Sequence, residues 1–242
     1  MAETSSLKLT AIGVALALAG GVAGWFWQSH RAGGTDRAQI ETVVREYLLS
    51  HPEILPEAME NLRKTENAKQ LAGLDDDLGK PFPGAILGNP QGKVTLIEFT
   101  DFACTYCRKS VEDIAALVAE NPELRVVIRE LPILSPASAD AARMGLAAAE
   151  QGKYGAFHKA MFEIGHPDTS TIAAAAQAAG LDMNRARQTI ADPRVEAEIT
   201  ANLDFARQLG FSGTPSWVVG DQMLSGAVGK ETLAKAIAEA AG

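Results

Sequence analysis

Two cysteines, Cys104 and Cys107, are the residues whose type and spacing best suit chemistry in this chain. They are the only cysteines among the 242 residues, so neither has a stable partner elsewhere in the sequence. They follow an apolar run, Val94–Phe99, that is typical of a buried strand, and helical spacing of apolar residues comes after them. The pair is therefore predicted at a helix N-terminus, where unpaired N–H groups and the helix dipole stabilise a thiolate.

The order of the cysteines predicts their roles in disulfide exchange. Cys104 is nearer the helix start and is expected to be the exposed nucleophile, while Cys107, one turn later, is expected to be the buried resolving thiol. Thr105 and Tyr106 lie between them and bring no positive side chain beside the thiolate, so they are candidate redox-tuning residues. A metal site would need two further ligands, and the four histidines lack the close spacing of a zinc motif. No metal is predicted.

Glu98 is an acid inside the otherwise apolar run that precedes the cysteines. Its charge would be costly on a central strand covered on both faces. In that setting we expect a catalytic carboxyl group with a raised pKa that relays a proton for Cys107. A glutamate on a solvated surface strand is the alternative.

These residues form part of a longer pattern that resembles a known family. The pattern Glu98-Phe99-x-Asp101-Phe102-x-Cys104-x-x-Cys107, followed much later by Gly213-Thr214-Pro215, resembles the DsbA family of bacterial extracytoplasmic thiol–disulfide oxidoreductases. The resemblance covers roughly residue 80 to the C-terminus. It implies an α/β, thioredoxin-like fold with an inserted all-helical domain. It also implies that Thr214 and Pro215 form a substrate-binding cis-proline loop opposite the cysteines; an ordinary trans turn is the alternative.

The elements that must position this site can be placed coarsely. The strand Val94–Phe99, a helix from Cys104 to about residue 121 and a strand over 124–129 predict a parallel βαβ unit. Residues 137–210 are alanine-rich and helical, and breaks at glycine and proline divide them into about four helices. A hairpin over 216–225 and a terminal helix then complete the predicted domain, 73–242.

The first 34 residues are predicted to form an N-terminal membrane anchor. Residues 9–27 are almost continuously apolar or glycine and carry no charge, which is close to the roughly 20 residues that span a bilayer. The closing aromatic residues Trp25, Phe26 and Trp27 favour a membrane interface. A cleaved signal peptide is the alternative. We expect an extracytoplasmic or periplasmic protein anchored in the inner membrane, with an orientation that rests mainly on the family resemblance.

A helical extension is predicted over residues 35–72, as helices 36–50 and 53–71. The first carries an apolar stripe at positions 40, 43, 44, 47 and 48. The pair resembles the N-terminal extension of ScsC-like members of the DsbA family, in which such extensions can mediate oligomerisation. A homo-oligomer and a helical stalk packed on its own catalytic domain are the two interpretations that stay open.

Composition limits the classes of function. The formal charge of −8, from 22 basic and 30 acidic residues, comes without a basic cluster, so a nucleic-acid partner is not predicted. The prediction is a thiol–disulfide oxidoreductase without a bound cofactor that forms, reduces or isomerises disulfides in exported proteins, helped by an unidentified membrane redox partner. Two alternatives stay open: a non-enzymatic copper- or metal-handling module, and a tethered assembly factor whose helices 36–71 do the main work.

Overall fold

The structure of the protein, a computed structural model, divides into two compact units. The structure describes residues 3–241, except for the side chains of residues 3–16, 29–36, 75 and 76. The units are Met1–Asn61 and Leu62–Gly242. The division falls inside a helix, and the domain limits predicted at residues 34 and 72 stay predictions.

The second unit is built on a five-stranded sheet. The strands are β1 (Ile86–Gly88), β2 (Val94–Thr100), β3 (Leu124–Glu130), β4 (Ser216–Val219) and β5 (Gln222–Ser225), in the order β1-β3-β2-β4-β5. β2 and β3 are parallel and the other pairs are antiparallel. This confirms the predicted parallel βαβ unit and the C-terminal hairpin. β2 lies at the centre, as the apolar run before the cysteines predicted.

Helices complete this unit at the predicted breaks. They are α3 (Asp75–Leu78), α4 (Thr105–Glu120), α5 (Pro136–Glu150), α6 (Tyr154–Ile164), α7 (Thr169–Ala178), α8 (Met183–Ile190), α9 (Pro193–Gln208) and α10 (Lys230–Ala241). In this described range the insertion after β3 contains five helices, α5–α9, rather than about four. The predicted breaks, at Gly152, 165–167, Gly180 and 192–193, all separate successive helices in the structure, but four breaks separate five segments.

The central strand is buried on both faces. Leu96 packs with Val126, Ile128 and residues of α4 and α10 on one face, whereas Ile97 and Phe99 join a separate cluster on the other. Alternate residues of a strand point to opposite faces, so Glu98 shares the face of Leu96 and α4. The acid is therefore enclosed by the core, as the interpretation of a buried carboxyl group requires.

The first unit contains α1 (Glu3–Ser50) and the start of α2 (Ile54–Leu71). The backbone of α1 continues through residues 32–37, although the glycine pair in this stretch is typical of a short linker. A glycine inside a helix costs only about 1 kcal/mol, so a long helix can retain two of them. Of the predicted membrane segment, residues 9–16 lie outside the described side chains. Within the described residues no helix is long and apolar enough to cross a membrane, so that prediction has no support here.

Candidate active site

Cys104 occupies the N-cap of α4, where it meets two backbone groups. Its Sγ accepts a hydrogen bond from the backbone N–H of Cys107 at 3.3 Å. The thiol also donates to the carbonyl oxygen of Thr214, 3.1 Å away and 110 residues later in the sequence. The strand-to-helix junction and the loop before β4 thus meet at one sulfur atom.

The surroundings of Cys104 favour its thiolate. The Cys107 thiol, followed by the Thr214 side chain and the backbone N–H groups of Cys107 and Tyr106, lowers the pKa of Cys104 from 9.0 to about 5, while burial opposes the shift. A thiol with this pKa is mostly ionised at neutral pH. The predicted thiolate at a helix N-terminus therefore has a physical basis in the folded protein.

Cys104 is less accessible than the sequence suggested. Its residue surface is 5% exposed, and that of Cys107 is 1% exposed, so the expectation of an exposed nucleophile is wrong for this conformation. The loop at Thr214 contacts Sγ, and only the folded chain brings that loop into place. Cys104 is still the more accessible of the two sulfurs.

The Thr214–Pro215 peptide bond is cis, and this loop is the one that faces Cys104. The structure thus brings the two predicted substrate-binding residues beside the two predicted catalytic cysteines. Thr214 Oγ1 is buried and has no hydrogen-bond partner among the described residues. The loop leads directly into β4, whose first residue anchors it through a 2.8 Å bond from Ser216 Oγ to the Gly213 carbonyl.

Cys107 and Glu98 form the buried side of the site. Burial, the Cys104 side chain and the nearby Glu98 all raise the pKa of Cys107. Burial, followed by the charge of Cys104, raises the pKa of Glu98 from 4.5 to about 8. Glu98 is 2% exposed, and its Oε2 has no hydrogen-bond partner within the described part of the chain. A neutral carboxyl group next to a buried thiol can exchange a proton with it near neutral pH.

The two residues between the cysteines, Thr105 and Tyr106, are both exposed, and Tyr106 is 58% exposed. The backbone N–H of Tyr106 nevertheless contributes to the lowered pKa of Cys104. A contribution from the backbone does not depend on the side chain, so other residues at these two positions could make it as long as the helical turn is kept. The tuning role of Thr105 and Tyr106 stays a prediction.

Three residues near the site were not given a role from the sequence. Asp101 is buried and accepts hydrogen bonds from the backbone N–H groups of Ala103, Ile133 and Leu134. Glu130, at the end of β3, accepts a 2.7 Å hydrogen bond from the Tyr154 hydroxyl, and both residues are buried. An acid at the end of a strand with the apolar run Val126–Ile128 was the available signal for Glu130, but nothing local linked it to Tyr154.

His158 is a packed residue of α6. It is 3% exposed and lies against the rings of Phe102, Tyr154 and Phe162. Burial lowers its pKa to about 4, so the imidazole is neutral at physiological pH. Among the described residues, no group of three or more histidine, cysteine or acidic side chains is arranged to hold a metal ion.

Comparison with known families gives two matches to this chain. Residues 95–238 match the model of the DSBA-like thioredoxin domain. Residues 36–69 match the N-terminal domain of the copper resistance protein ScsC. The two matches fall on the regions for which the sequence had suggested these resemblances.

Individual relatives agree with the family match. A thioredoxin-like oxidoreductase from Silicibacter pomeroyi DSS-3 is 39% identical, with a TM-score of 0.65 over 69% of this chain and 96% of that one. A periplasmic thioredoxin-like protein from Salmonella enterica serovar Typhimurium is 28% identical, with a TM-score of 0.61 over 67% of this chain and 92% of that one. The Na⁺/H⁺ antiporter NhaA 3 of Salinispora tropica is 30% identical over 160 residues, 64% of this chain and 24% of that protein. The chain thus spans about a quarter of the length of the curated relatives it matches.

Proposed function

Because the chain belongs to the family of DSBA-like thioredoxin domains, we propose that it exchanges disulfides with cysteine-containing exported proteins through Cys104 and Cys107. The observation that carries the proposal is the placement of Cys104 Sγ between the N-terminus of α4 and the Thr214 carbonyl. An extracytoplasmic location is supported by the similarity to the Salmonella protein described as periplasmic.

The two cysteines carry the proposed electron transfer. In the oxidised protein a substrate thiolate attacks Cys104 Sγ, the Cys104–Cys107 bond breaks, and its electron pair stays on Cys107 Sγ, which takes up a proton. A second substrate thiolate then attacks the substrate sulfur of the mixed disulfide and releases the Cys104 thiolate. The substrate loses two electrons and the protein gains them. A separate redox partner, for which a membrane protein is the candidate, must remove those electrons before the next cycle.

Glu98 is proposed to be the group that gives this proton to Cys107 and takes it back. It is buried beside Cys107, and its pKa of about 8 lies close enough to neutral pH for transfer in either direction. The Thr214 carbonyl is proposed to accept a hydrogen bond from an extended substrate segment, once the Cys104 thiol has ionised and no longer donates to it.

The lowered pKa of Cys104 favours transfer of the protein's disulfide to substrate thiols. Ionisation stabilises the reduced form at neutral pH, and a stabilised reduced form makes the disulfide a stronger oxidant. Net oxidation of substrate thiols is therefore the favoured direction, with isomerisation added when substrates have several cysteines.

The test is a stopped-flow reaction of the oxidised protein with a reduced dithiol peptide, together with redox equilibration against glutathione. We expect peptide oxidation by the native protein and no oxidation by Cys104→Ser. Cys107→Ser, given the oxidised form of the peptide instead, should be trapped as a mixed disulfide, because the Cys104 thiolate attacks the peptide disulfide and releases the second peptide sulfur as a thiol. Undiminished peptide oxidation by folded Cys104→Ser protein would contradict the proposal. The reduction potential from the equilibration then places the protein among oxidants or reductants.

Copper handling is a second candidate, supported by the match of residues 36–69 to a domain named for copper resistance. Two thiolates are suitable soft ligands for Cu(I). Anaerobic Cu(I) titration of reduced protein and of the two serine variants tests this idea. Stoichiometric binding that needs both cysteines, in a protein unable to oxidise the peptide, would favour it over disulfide exchange.

The first unit is proposed to join chains into a homo-oligomer. Apolar residues on one stripe of α1 are solvent-exposed, including Ile40, Val43, Val44 and Tyr47. A stripe of this kind is normally covered by another apolar surface. Pairing of the stripes of several chains would bring several Cys104 sites to one substrate and so favour isomerisation.

A further inference from the structure

A second buried acid lies on the same face of the sheet as Glu98. In the parallel register, Glu98 is opposite Ile128 and Thr100 is opposite Glu130. Residues two apart on a strand share a face, so Glu98, Thr100 and Glu130 all point to the side covered by α4. Glu98 and Glu130 are 2% and 1% exposed. Two carboxyl groups are therefore enclosed together behind Cys107.

Glu130 is held in a fitted position. Its Oε1 accepts the 2.7 Å bond from the Tyr154 hydroxyl. On the α5 side it lies against Gly145, where a Cβ atom would come within 2.9 Å of Oε1. The neighbouring helix thus leaves space for the carboxyl group that even alanine would fill. A charged residue that merely ends a strand would not need this enclosure by Tyr154 and Gly145.

The hydrogen bonds to the acids are unequal. Glu98 Oε2, Thr100 Oγ1 and Glu130 Oε2 are buried without partners among the described residues. Asp101, the third acid nearby, accepts hydrogen bonds from three backbone N–H groups. Glu130 thus has a hydrogen-bond donor, the Tyr154 hydroxyl, whereas Glu98 Oε2 has none among the described residues.

The ionisable groups that face Glu98 and Glu130 are acidic, so they disfavour a negative charge on both carboxyl groups at once. Burial, followed by Asp101 and Glu98 on the strand side, raises the pKa of Glu130, and the Tyr154 bond opposes this shift. Burial, followed by Glu130, Glu98 and Cys107, raises the pKa of Tyr154, so its hydroxyl remains a donor. Arg129 is adjacent in sequence, but its guanidinium bonds to Glu198, Asn202 and the carbonyls of residues 77, 78 and 80 instead.

We propose that Glu130, oriented by Tyr154, is a positioning residue for disulfide exchange: both carboxyl groups are protonated in the oxidised protein, and Glu130 gives its proton to Glu98 and takes the negative charge when Glu98 protonates Cys107. This inference rests on the proposed exchange reaction. When the Cys104–Cys107 bond breaks, its electron pair stays on Cys107 Sγ, and Glu98 gives that sulfur a proton. The proton of Glu130 then moves to Glu98, and the charge rests on Glu130 beside the Tyr154 hydroxyl. The reverse transfers restore the disulfide.

The first experiment separates the two cysteines with Ellman's reagent. Cys104 of the reduced protein releases one thionitrobenzoate, and attack of Cys107 on the resulting mixed disulfide releases the second in a unimolecular phase that needs the Cys107 proton removed. In Tyr154→Phe we expect the pH midpoint of this second phase to move about one unit to higher pH, because the resting charge has lost its hydrogen bond. The first phase should keep its pH profile.

Thr189→Val is the matched control. It removes another hydroxyl-to-glutamate bond, from Thr189 Oγ1 to Glu150 Oε2 at 2.8 Å, in the helical insertion. We expect no shift of either phase in this variant. Equal midpoints in the native protein, Tyr154→Phe and Thr189→Val would reduce the Tyr154–Glu130 bond to a structural role and overturn the inference.

The second experiment observes the proton itself by reduced-minus-oxidised infrared spectra in the C=O stretching region of protonated carboxyl groups. The native protein should show redox-linked bands from two glutamic acids. Tyr154→Phe should shift the frequency of one of them, because Glu130 loses the hydrogen bond from the Tyr154 hydroxyl, and Glu130→Gln should lose that band. If Glu130→Gln does not fold, the Tyr154→Phe spectrum still decides, since redox-linked bands identical to those of the native protein there exclude Glu130. Absence of both Ellman phases in the native protein would instead contradict disulfide exchange itself.

Discussion

The two units of this chain treat their apolar residues in opposite ways. In the second unit Phe99, Leu146 and Trp217 are fully buried, and the strands and helices around them share continuous cores. In the first unit Trp25, Val43 and Leu49 are 72%, 64% and 72% exposed although they lie on a long helix. Helical periodicity is present in both units, but only the second brings a sheet to cover the apolar face.

This difference in burial suits the second unit to thiol chemistry and the first unit to contact with another chain. Perturbed ionisation requires low-dielectric surroundings, and the described residues with strongly shifted thiol and carboxyl groups, Cys104, Cys107, Glu98 and Glu130, all lie in the second unit. A single helix with an exposed apolar stripe cannot supply such surroundings, but it can supply contact area for a second chain. The four predictions below test that separation.

The largest expected effect is a difference in reactivity between the cysteines that does not depend on the first unit. With iodoacetamide at pH 6 the reduced protein should be alkylated at Cys104 more than about 100-fold faster than at Cys107, because the pKa of Cys104 is about 5 whereas burial raises that of Cys107. Peptide mass spectrometry after timed quenching measures both rates. The same ratio is expected in protein lacking residues 1–61, and similar rates at the two cysteines would contradict the assigned roles.

Glu98 should make the second unit less stable as pH rises. Its folded-state pKa of about 8 lies above its ordinary 4.5, so the folded protein holds this proton more tightly than the unfolded chain. The associated stability is complete below pH 4.5 and is lost as pH rises to 8, by several kcal/mol at about 1.4 kcal/mol per unit. Ionisation of Cys104, whose pKa is lowered to about 5, adds stability over the same pH range, so the loss is measured as a difference. By urea unfolding at both pH values, the reduced native protein should lose several kcal/mol relative to Glu98→Gln, which keeps the contribution of Cys104. The exposed Glu112→Gln is the control; if it and Glu98→Gln respond alike to pH, the buried-acid explanation is wrong.

The border between the units should be detectable by truncation. Leu71 at the end of α2 is 3% exposed and packs in the cluster of Leu78 and Ile97. Protein lacking residues 1–72 should therefore be about 2 kcal/mol less stable than protein lacking residues 1–61, the value of one buried leucine. Urea denaturation of the two proteins measures the difference. Equal stability would place the border after residue 72, where the sequence had suggested it.

The smallest expected effect on catalysis comes from the exposed stripe. In protein lacking residues 1–34, Val43→Glu should convert an oligomer into a monomer by light scattering, because a charge would be buried between apolar helices. The rate of dithiol peptide oxidation should stay within twofold. Thr42→Glu adds the same charge beside the stripe and should remain oligomeric. A monomer without any substitution, at micromolar concentration, would return the helices to the role of a spacer.

Much of the fold could be predicted because its strands, helices and breaks follow from the pattern of neighbouring residues in the sequence. The apolar run before Cys104, the helical spacing after Cys107 and the glycine and proline breaks in the insertion predicted elements that the structure confirms. The spacing of the two cysteines at a strand-to-helix junction determined the kind of chemistry available. The acid at position 98 could be placed in a buried strand for the same reason, since strand and helix periodicity depends on near neighbours.

The tertiary structure decided what lies far apart in sequence. The Thr214 carbonyl covers Cys104 from 110 residues away, and Tyr154 reaches Glu130 across 24 residues. Neither contact leaves a periodic signal, because each depends on the register of β2 with its neighbours and on the packing of α6. The sequence by itself determined a thiol pair, its strand and its helix. Only packing decided how deeply each sulfur and each carboxyl group is buried, and burial is what divides them into a thiolate, a thiol and two proton-holding acids.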